Sequence, residues 1–347
     1  MKKALILTDG YLDRSTAKTS HGLLRYSTRY DITAVIDYKF TGSTTDEVVS
    51  HCKSVPIYGT VEEALKEVDA EILIVGVATI GGFLPDNFRV HVIAAIHNGL
   101  DIISGLHHYL NDDLELSELA LQNGVVLTDI RRSPPLEELH YFNNRKKEVG
   151  AKTVAFMGTD SSIGKRTALI AVYEELKKHI DVEWVATGQT GLLQGTEYGL
   201  PLDSTIPDYM VGELEYQIWR AWKDHEPDVI LVEGQGSISH PAYVCGSRAV
   251  LAASQPDGIV LQHSPGRKYR HYREDEIRWP MPTAEEEIQL LEMFSGSKVI
   301  ALGLNPEKLT KEEVTEWVKR YESELGIPTA DALAEPGKLA KAMIDIV

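Results

Sequence analysis

Phe156-Met-Gly158-Thr159-Asp160-Ser161-Ser162-Ile163-Gly164-Lys165-Arg166-Thr167 is the stretch that decides the fold of this chain. Upstream, Lys152-Thr-Val-Ala-Phe-Met is the continuous apolar run that a buried parallel strand needs. Downstream, Thr167-Ala-Leu-Ile-Ala-Val-Tyr-Glu-Glu-Leu carries a helical pattern. A glycine-bearing turn between such a strand and helix aims backbone N–H groups and the positive end of the helix dipole at one point, and Lys165 adds a mobile charge. The loop departs twice from its commonest form: Thr159 stands where glycine is usual, and Arg166 stands where serine or threonine is usual. One residue along a helix turns a side chain by about 100 degrees, so the hydroxyl at Thr167 need not face a metal that a hydroxyl at 166 would bind. Arg166 meanwhile brings a planar, permanently charged fork to the anion. The spacing predicts phosphate binding, and it suits an anchor better than a magnesium-dependent transfer centre.

Outward from this loop the chain reads as two alternating strand–helix halves. At 347 residues it is too long for one ordinary domain. The first half predicts strands near 4–8, 32–36, 71–75, 101–103 and 125–127, with helices near 61–68, 88–97 and 116–123. A charged, proline-bearing segment from Asp129 to Gly150 breaks the pattern. The second half restarts at Lys152, with strands near 182–186, 229–232, 258–261, 299–302 and 327–329. Helices near 210–222, 284–293, 311–325 and 337–346 lie between or after them. The expected fold is α/β: an N-terminal Rossmann-like parallel-sheet domain over 1–148 and a P-loop NTPase-like α/β domain over 149–347.

The formal net charge of −17 argues against a general nucleic-acid or anionic-membrane binder, so any anion must be held by a local positive cluster. Cys52 and Cys245 have no metal-ligand spacing and form no disulfide framework, which points to a reducing cytosol. The apolar start at Met1 is ended too early by Asp9 and Gly10 for a signal peptide, and no run reaches the roughly 20 apolar residues that span a bilayer. A cytoplasmic protein is expected, without nucleic-acid or membrane partners and as a homo-oligomer.

The loop from Gly158 through Thr159, Asp160, Ser161, Ser162 and Gly164 to Lys165 resembles that of the dethiobiotin synthetase and cobyrinic acid amidase group of P-loop enzymes. That resemblance implies ATP-driven phosphorylation of a carboxylate, with Lys165 on the terminal phosphates and the amides of residues 161–167 around them. Asp228-Val-Ile-Leu-Val-Glu233-Gly234-Gln235-Gly236 is similar to the segment whose glutamate serves the metal ion there. If magnesium-ATP is the ligand, Glu233 and Thr167 are its metal partners; otherwise Glu233 is a strand-end carboxylate capping a helix. Asn305, in Gly303-Leu-Asn305-Pro306, matches the strand end that reads adenine, or is an ordinary turn residue.

Further blocks extend over nearly the full length: Gly164-Lys-Arg-Thr167, Thr187-Gly188-Gln189-Thr190-Gly191, Glu233-Gly-Gln-Gly-Ser-Ile-Ser-His240-Pro241-Ala242-Tyr243, Lys18-Thr-Ser-His-Gly22-Leu-Leu-Arg25-Tyr26 and Gly99-Leu-Asp101-Ile-Ile-Ser-Gly105-Leu-His107. Together they resemble a family of P-loop proteins, long of unknown function, that includes a bacterial D-glutamate N-acetyltransferase. The resemblance implies acetyl transfer from acetyl-CoA to the amine of a small acidic amino acid. The loop, Arg166 included, would then anchor the phosphates of coenzyme A without a catalytic metal. Such transfer needs a neutral amine, a base and a group that stabilises the oxyanion. His240 and Glu233 are candidate catalytic residues, with Gln189 offering amide donors; a loop histidine and a turn glutamine are the plainer readings.

The basic run His263-Ser-Pro-Gly266-Arg267-Lys268-Tyr-Arg270-His271-Tyr-Arg273 is a candidate anion clamp for substrate carboxylates or a coenzyme phosphate, with His263, Arg267 and Lys268 as candidate substrate ligands; a solvated charged loop is its alternative. Lys18, Arg25 and His21 offer a second carboxylate site in the first half. Asp37 ends a strand where an acidic residue could hold a ribose, yet the turn Thr8-Asp9-Gly10-Tyr11-Leu12-Asp13 lacks the glycines and carries charges that would repel a pyrophosphate, which argues against a nicotinamide cofactor. Adjacent His107 and His108 cannot readily share one ion, so a loop rather than a metal cluster is expected there. Two readings compete with acetyl transfer: an ATP- and magnesium-dependent carboxylate-activating enzyme, and a nucleotide-gated regulatory protein.

Overall fold

The structure, a computed structural model, describes residues 1–271 and 277–346. In chain order its strands and α-helices are β1 (Lys2–Leu7), α1 (Lys18–Arg25), β2 (Tyr30–Ile36), α2 (Thr45–Val48), β3 (Ile57–Tyr58), α3 (Val61–Glu67), β4 (Ile72–Val75), α4 (Asp86–His97), β5 (Asp101–Ser104), α5 (Leu114–Asn123) and β6 (Leu127–Asp129). They continue as β7 (Lys152–Gly158), α6 (Lys165–Leu176), β8 (Val182–Val185), α7 (Gln189–Gln194), α8 (Pro207–His225), β9 (Val229–Glu233), α9 (Val244–Ser254), β10 (Gly258–His263), α10 (Ala284–Ser295), β11 (Val299–Leu304), α11 (Lys311–Leu325), β12 (Thr329–Ala330) and α12 (Pro336–Ile344).

The chain divides into two compact units, one of residues 1–134 with 188–196, the other of residues 135–187 with 197–347. This differs from a single cut at 148/149 in two places, each with a local cause. The segment 135–149 joins the second unit because α8 buries Glu213 and Glu215 as acceptors. Glu213 takes the amide of His140 at 2.5 Å and its Nδ1 at 2.8 Å, and Glu215 takes the amides of Asn143 and Arg145, both at 2.8 Å. Residues 188–196 join the first unit because α7 lies on α1. There Thr19 and Thr190 share a 2.8 Å hydroxyl contact and Gln194 Nε2 donates to the carbonyl of Gly22 at 2.9 Å.

The first unit holds a six-stranded parallel sheet in the order β3-β2-β1-β4-β5-β6. Its central strands are buried on both faces, which is why Ala4-Leu-Ile-Leu7 and Ile72-Leu-Ile-Val75 read as unbroken apolar runs rather than alternating ones. The order reverses between β1 and β4, so the loops after those two strands part and leave a crevice at the carboxyl edge.

The second unit holds another all-parallel sheet, β12-β11-β10-β7-β9-β8. Central β7 pairs with β9 so that Phe156 stands opposite Glu233, and with β10 so that Gly158 stands opposite Gln262. Register alone therefore sets Glu233 beside the strand end that opens into the loop. A Cβ on Gly234 would meet the Phe156 carbonyl oxygen at 2.1 Å, so the residue after the glutamate must be glycine. Helix α9 went unread in the sequence: Val244-Cys-Gly-Ser-Arg-Ala-Val-Leu-Ala-Ala-Ser254 has too few polar residues to display an amphipathic period. Among the described residues no helix is long and apolar enough to cross a membrane, and Cys52 and Cys245 are free thiols.

Gly212 lies inside α8 under the segment that joins the units, where a Cβ would meet the carbonyl oxygen of His140 at 2.2 Å and backbone atoms of Tyr141 and Phe142 at 2.4 and 2.6 Å. In an open helix, glycine to alanine stabilises by about 1 kcal/mol. Here Gly212→Ala is expected to destabilise by roughly 1–3 kcal/mol, because backbone rather than a flexible side chain must yield. Urea unfolding checks the sign, and a stabilised variant would contradict this packing.

Candidate anion site

The loop after β7 is shaped as a nest. Ser162 and Gly164 take left-handed backbone angles (φ 49° and 95°), and this curls successive amides inward. Gly164 precedes α6 and brings no side-chain cap, so the first-turn amides of Lys165, Arg166 and Thr167 face outward. Among the described residues the amides of 161–167 donate to no acceptor. The stem of Lys165 lies over Gly158, where a Cβ would come within 3.0 Å of its Cγ and Cδ. Its Nζ donates to the carbonyls of Asp160 at 2.6 Å and Gly236 at 2.7 Å, tying the nest to the loop after β9. Burial drives the Lys165 ammonium down to about 8, with Asp160 and Glu233 opposing the shift.

Two of the arginines around the nest are matched to carboxylates, and a third reaches one through a serine. Arg166 Nη1 stands 3.5 Å from Glu233 Oε1, and the second oxygen of Glu233 accepts the Thr187 amide at 3.0 Å. Arg267 donates to Asp160 Oδ2 at 2.8 Å, to the carbonyls of Ser161 and Ser162, and to Glu307 at 2.6 Å. Arg270, nearly fully buried, donates to the Thr159 carbonyl at 3.0 Å and to the hydroxyls of Ser237 and Ser239 at 2.7 Å. Ser239 in turn donates a hydrogen bond to the Glu287 carboxylate of α10. The loop is thus braced from outside by arginines and lined from inside by amides and one lysine.

Several expected ligands take bracing roles instead. The Asp160 side chain is wholly buried and turned away from the nest, accepting from Arg267 and from the His271 amide at 2.7 Å. Thr159 Oγ1 meets His263 Nδ1 at 2.9 Å, and burial pushes the His263 imidazole down to about 4, so it is a neutral wedge rather than an anion ligand. Asn305 spends its amide on the loop itself, donating to the Ile163 carbonyl at 2.9 Å. Arg267 has its donors committed, and Lys268 is exposed. Ser161 donates its hydroxyl to the His271 carbonyl at 3.1 Å. Arg273 and the acidic residues after it lie outside the described residues.

His240 is buried against Tyr243, its Nδ1 accepting from the Ala242 amide at 3.1 Å and its Nε2 facing Asp160 Oδ1 at 3.6 Å. That acceptor role at Nδ1 places the neutral ring's proton on Nε2, toward the carboxylate. Burial lowers its affinity for a second proton, Asp160 notwithstanding. Gln189 belongs to the first unit, where its Oε1 accepts from buried Arg131 at 3.0 Å. There too Lys18 is exposed, and Arg25, also exposed, donates to the Ser50 carbonyl at 3.3 Å. Asp37 holds Thr8 at 2.7 Å and the Leu12 amide at 3.1 Å, a lock on the first turn rather than a ribose ligand.

A magnesium ion does not fit Glu233 and Thr167 as they stand, since a guanidinium and an amide already occupy the two carboxylate oxygens. Among the described residues no group of three or more His, Cys, Asp or Glu side chains could hold a metal. A phosphate fits: open amides, a helix N-terminus and a lysine held by carbonyls that an anionic oxygen can replace.

Two parallel-sheet α/β units, one with a Rossmann-type strand order and one with a phosphate loop, define a two-domain P-loop protein. Residues 38–133 match the Rossmann-like domain DUF1611_N and residues 140–340 the P-loop domain DUF1611_C, both described as domains of unknown function. The chain belongs to the DUF1611 family. It is 32% identical over 292 residues to a D-glutamate N-acetyltransferase of Tritonibacter scottomollicae, covering 82% of this chain and 84% of that protein. A D-glutamate N-acetyltransferase of a Pseudoalteromonas species is 31% identical over 274 residues, covering 77% and 79%. The crystal structure of a DUF1611 family protein from Anabaena variabilis ATCC 29413 superposes with a TM-score of 0.91 at 28% identity, over 99% of this chain and 100% of that one.

An anion in the nest needs the Lys165 ammonium. Because its proton is held only up to about pH 8 instead of the usual 10.5, affinity for pyrophosphate is expected to fall as pH rises through that value. Without ligand the sign for stability is opposite: the unfolded chain keeps this proton longer, so the fold gains stability between about pH 8 and 10.5. Calorimetric titration of pyrophosphate at pH 7 and 9.5 checks the first expectation. Lys165→Met should bind weakly at both, and a pH-independent wild type would contradict the assignment.

Proposed function

We propose that this chain is an N-acetyltransferase that moves acetyl from acetyl-CoA to the amine of a small acidic amino acid. The observation that carries the reading is a phosphate nest whose neighbouring glutamate is already neutralised by Arg166. That combination suits anchoring a phosphate-bearing substrate and does not suit splitting one around a metal. The transferred group and the acceptor class come from the two relatives named D-glutamate N-acetyltransferase.

The coenzyme thioester supplies the activated acetyl group. The amides of 161–167 and Lys165 bind phosphate, with Lys165 exchanging its carbonyl partners for phosphate oxygens. Arg267 and Arg270 keep the nest in shape through its carbonyls, and Asn305 does so through Ile163. An ATP-driven carboxylate activation would instead need Glu233 freed from Arg166.

At a hundredfold excess over Kd, a ligand that binds only the folded state adds about 2.7 kcal/mol, or a Tm rise of roughly 5–10 °C for a unit of this size. Acetyl-CoA is expected to give such a rise without magnesium, and D-glutamate with acetyl-CoA to release free thiol. Lys165→Met should raise the KM for acetyl-CoA about tenfold or more, as expected for loss of a charge-assisted contact. Stabilisation by ATP with magnesium alone, and no thiol release with any acidic amino acid, would sink this reading.

A further inference from the structure

Helix α10 carries a carboxylate where a helix normally keeps apolar groups. Glu287 is fully buried, on the face that it shares with Ala284 and Leu291. A carboxylate in such a place is costly unless donors surround it. Its donors belong to the loop after β9: the Ile238 amide reaches Oε1 at 2.7 Å, and the Ser239 hydroxyl reaches Oε2.

The direction of these bonds is fixed by the number of protons. A serine hydroxyl has one. The Ser239 oxygen accepts from Arg270 Nη2 at 2.7 Å, so its proton is directed to Glu287 and the donors run one way, from guanidinium to carboxylate. An amide nitrogen at position 287 would instead face Ser239 with a second donor. Arg270 is 3% exposed, and its Nε meets no acceptor among the described residues. It is held by what its two Nη groups find. Nη1 donates to the Ser237 hydroxyl at 2.7 Å and to the Thr159 carbonyl at 3.0 Å. Thr159 stands at the start of the nest, so the chain from Glu287 ends on the peptide where the anion site begins.

The same carboxylate acts on Lys165 across space. The Lys165 ammonium touches two neutral carbonyls, so surrounding carboxylates must offset its charge. Burial lowers its hold on the proton, Asp160, Glu233 and Glu287 oppose that in this order, and Arg267 adds to the loss. Arg166, Arg270 and His240 are the other charged or titratable groups around the nest. Asp160 and Glu233 each face an arginine directly, at 2.8 and 3.5 Å. Glu287 touches no cation among the described residues and meets Arg270 only through a serine.

We propose that Glu287 positions the nest from α10: it acts through Ser239 and Arg270 on the Thr159 carbonyl, and its charge helps keep Lys165 an ammonium for the phosphate. It is a positioning residue, which acts without touching the ligand. The proposal rests on the phosphate-anchor part of the reading above, and no step of acetyl transfer enters it.

The test titrates pyrophosphate into the full chain by calorimetry from pH 7 to 9.5. Pyrophosphate's own proton equilibria are common to all variants, so a difference between them reports the protein. Glu287→Gln keeps the size and removes the charge. It is expected to weaken binding about tenfold at pH 7, as for a lost charge-assisted bond, and to move the fall in affinity to lower pH. Glu287→Asp keeps the charge on a shorter arm; it should bind less tightly than wild type, with its affinity falling at the wild-type pH. Ser239→Ala leaves α10 intact and should also weaken binding without moving that pH. It carries the test if Glu287→Gln does not fold, which near-UV circular dichroism reports. Affinity within twofold of wild type in a folded Glu287→Gln, or in Ser239→Ala, overturns the proposal. A weakened Glu287→Gln whose affinity falls at the wild-type pH overturns the role of the charge. A wild type that binds no pyrophosphate ends the phosphate-anchor reading and this proposal with it, and that result is read before any variant is made.

Discussion

The two hydrogen bonds of the Lys165 ammonium, to the carbonyls of Asp160 and Gly236, set the character of the second unit. A buried cation is costly unless paired, and the protein treats its cations here in two ways. The arginines are matched to carboxylates: Arg166 to Glu233, Arg267 to Asp160 and Glu307, and Arg270 to Glu287 through Ser239. Lys165 is held by carbonyl oxygens, partners that a phosphate oxygen can replace with a stronger, charge-assisted bond. One lysine is thus available for exchange while the surrounding charges are committed to shape.

How much of this was legible follows from the range of each interaction. The strand, the nest and the helix at 152–176 are contiguous, so their order declares itself, and the placement of Glu233 follows from β9 lying beside β7. What was hidden depends on long-range partners. Asp160 sits in the loop's sequence but turns its carboxylate outward, since Arg267 arrives from residues about a hundred positions away. Glu287 lies in an acidic helix start, Ala284-Glu-Glu-Glu-Ile, and looks like its neighbours. Its one signal was that 284, 287, 288 and 291 share a helical face, which sets a carboxylate among apolar residues. Residues 188–196 sit between two strands of the second sheet in sequence, yet Gly195 approaches Thr28 so closely that a Cβ would meet its hydroxyl at 1.9 Å. No local pattern announces that attachment.

Arg166 shows how a departure from a common motif can be read before its partner is known and still be incompletely understood. In sequence it looked like an extra ligand for the anion. In the structure its guanidinium faces Glu233, and the consequence lies in what it removes: an open carboxylate where a magnesium ion would sit. The hydroxyl displaced to Thr167 and the neutralised glutamate are therefore one change. The same residue is at odds with a metal at both Glu233 and Thr167 while leaving the amides of the nest untouched.

The two sheets use the same backbone device. Each presents a loop at the carboxyl edge of a parallel sheet, with non-glycine left-handed backbone at the critical turn: Ser162 after β7, and Asp9 after β1. At Ser162 the curl turns amides inward and makes a positive concavity. At Asp9 it brings a carboxylate under α4, where it faces Asn87 and His91. A residue with a side chain pays for such a backbone angle, and the surrounding structure must hold it there. Arg267 grips the Ser162 carbonyl at 3.2 Å, while Asn87 grips the Asp9 carboxylate. In both places the fold fixes a turn that relaxed chain would avoid, and what the turn does follows from which atoms it points inward.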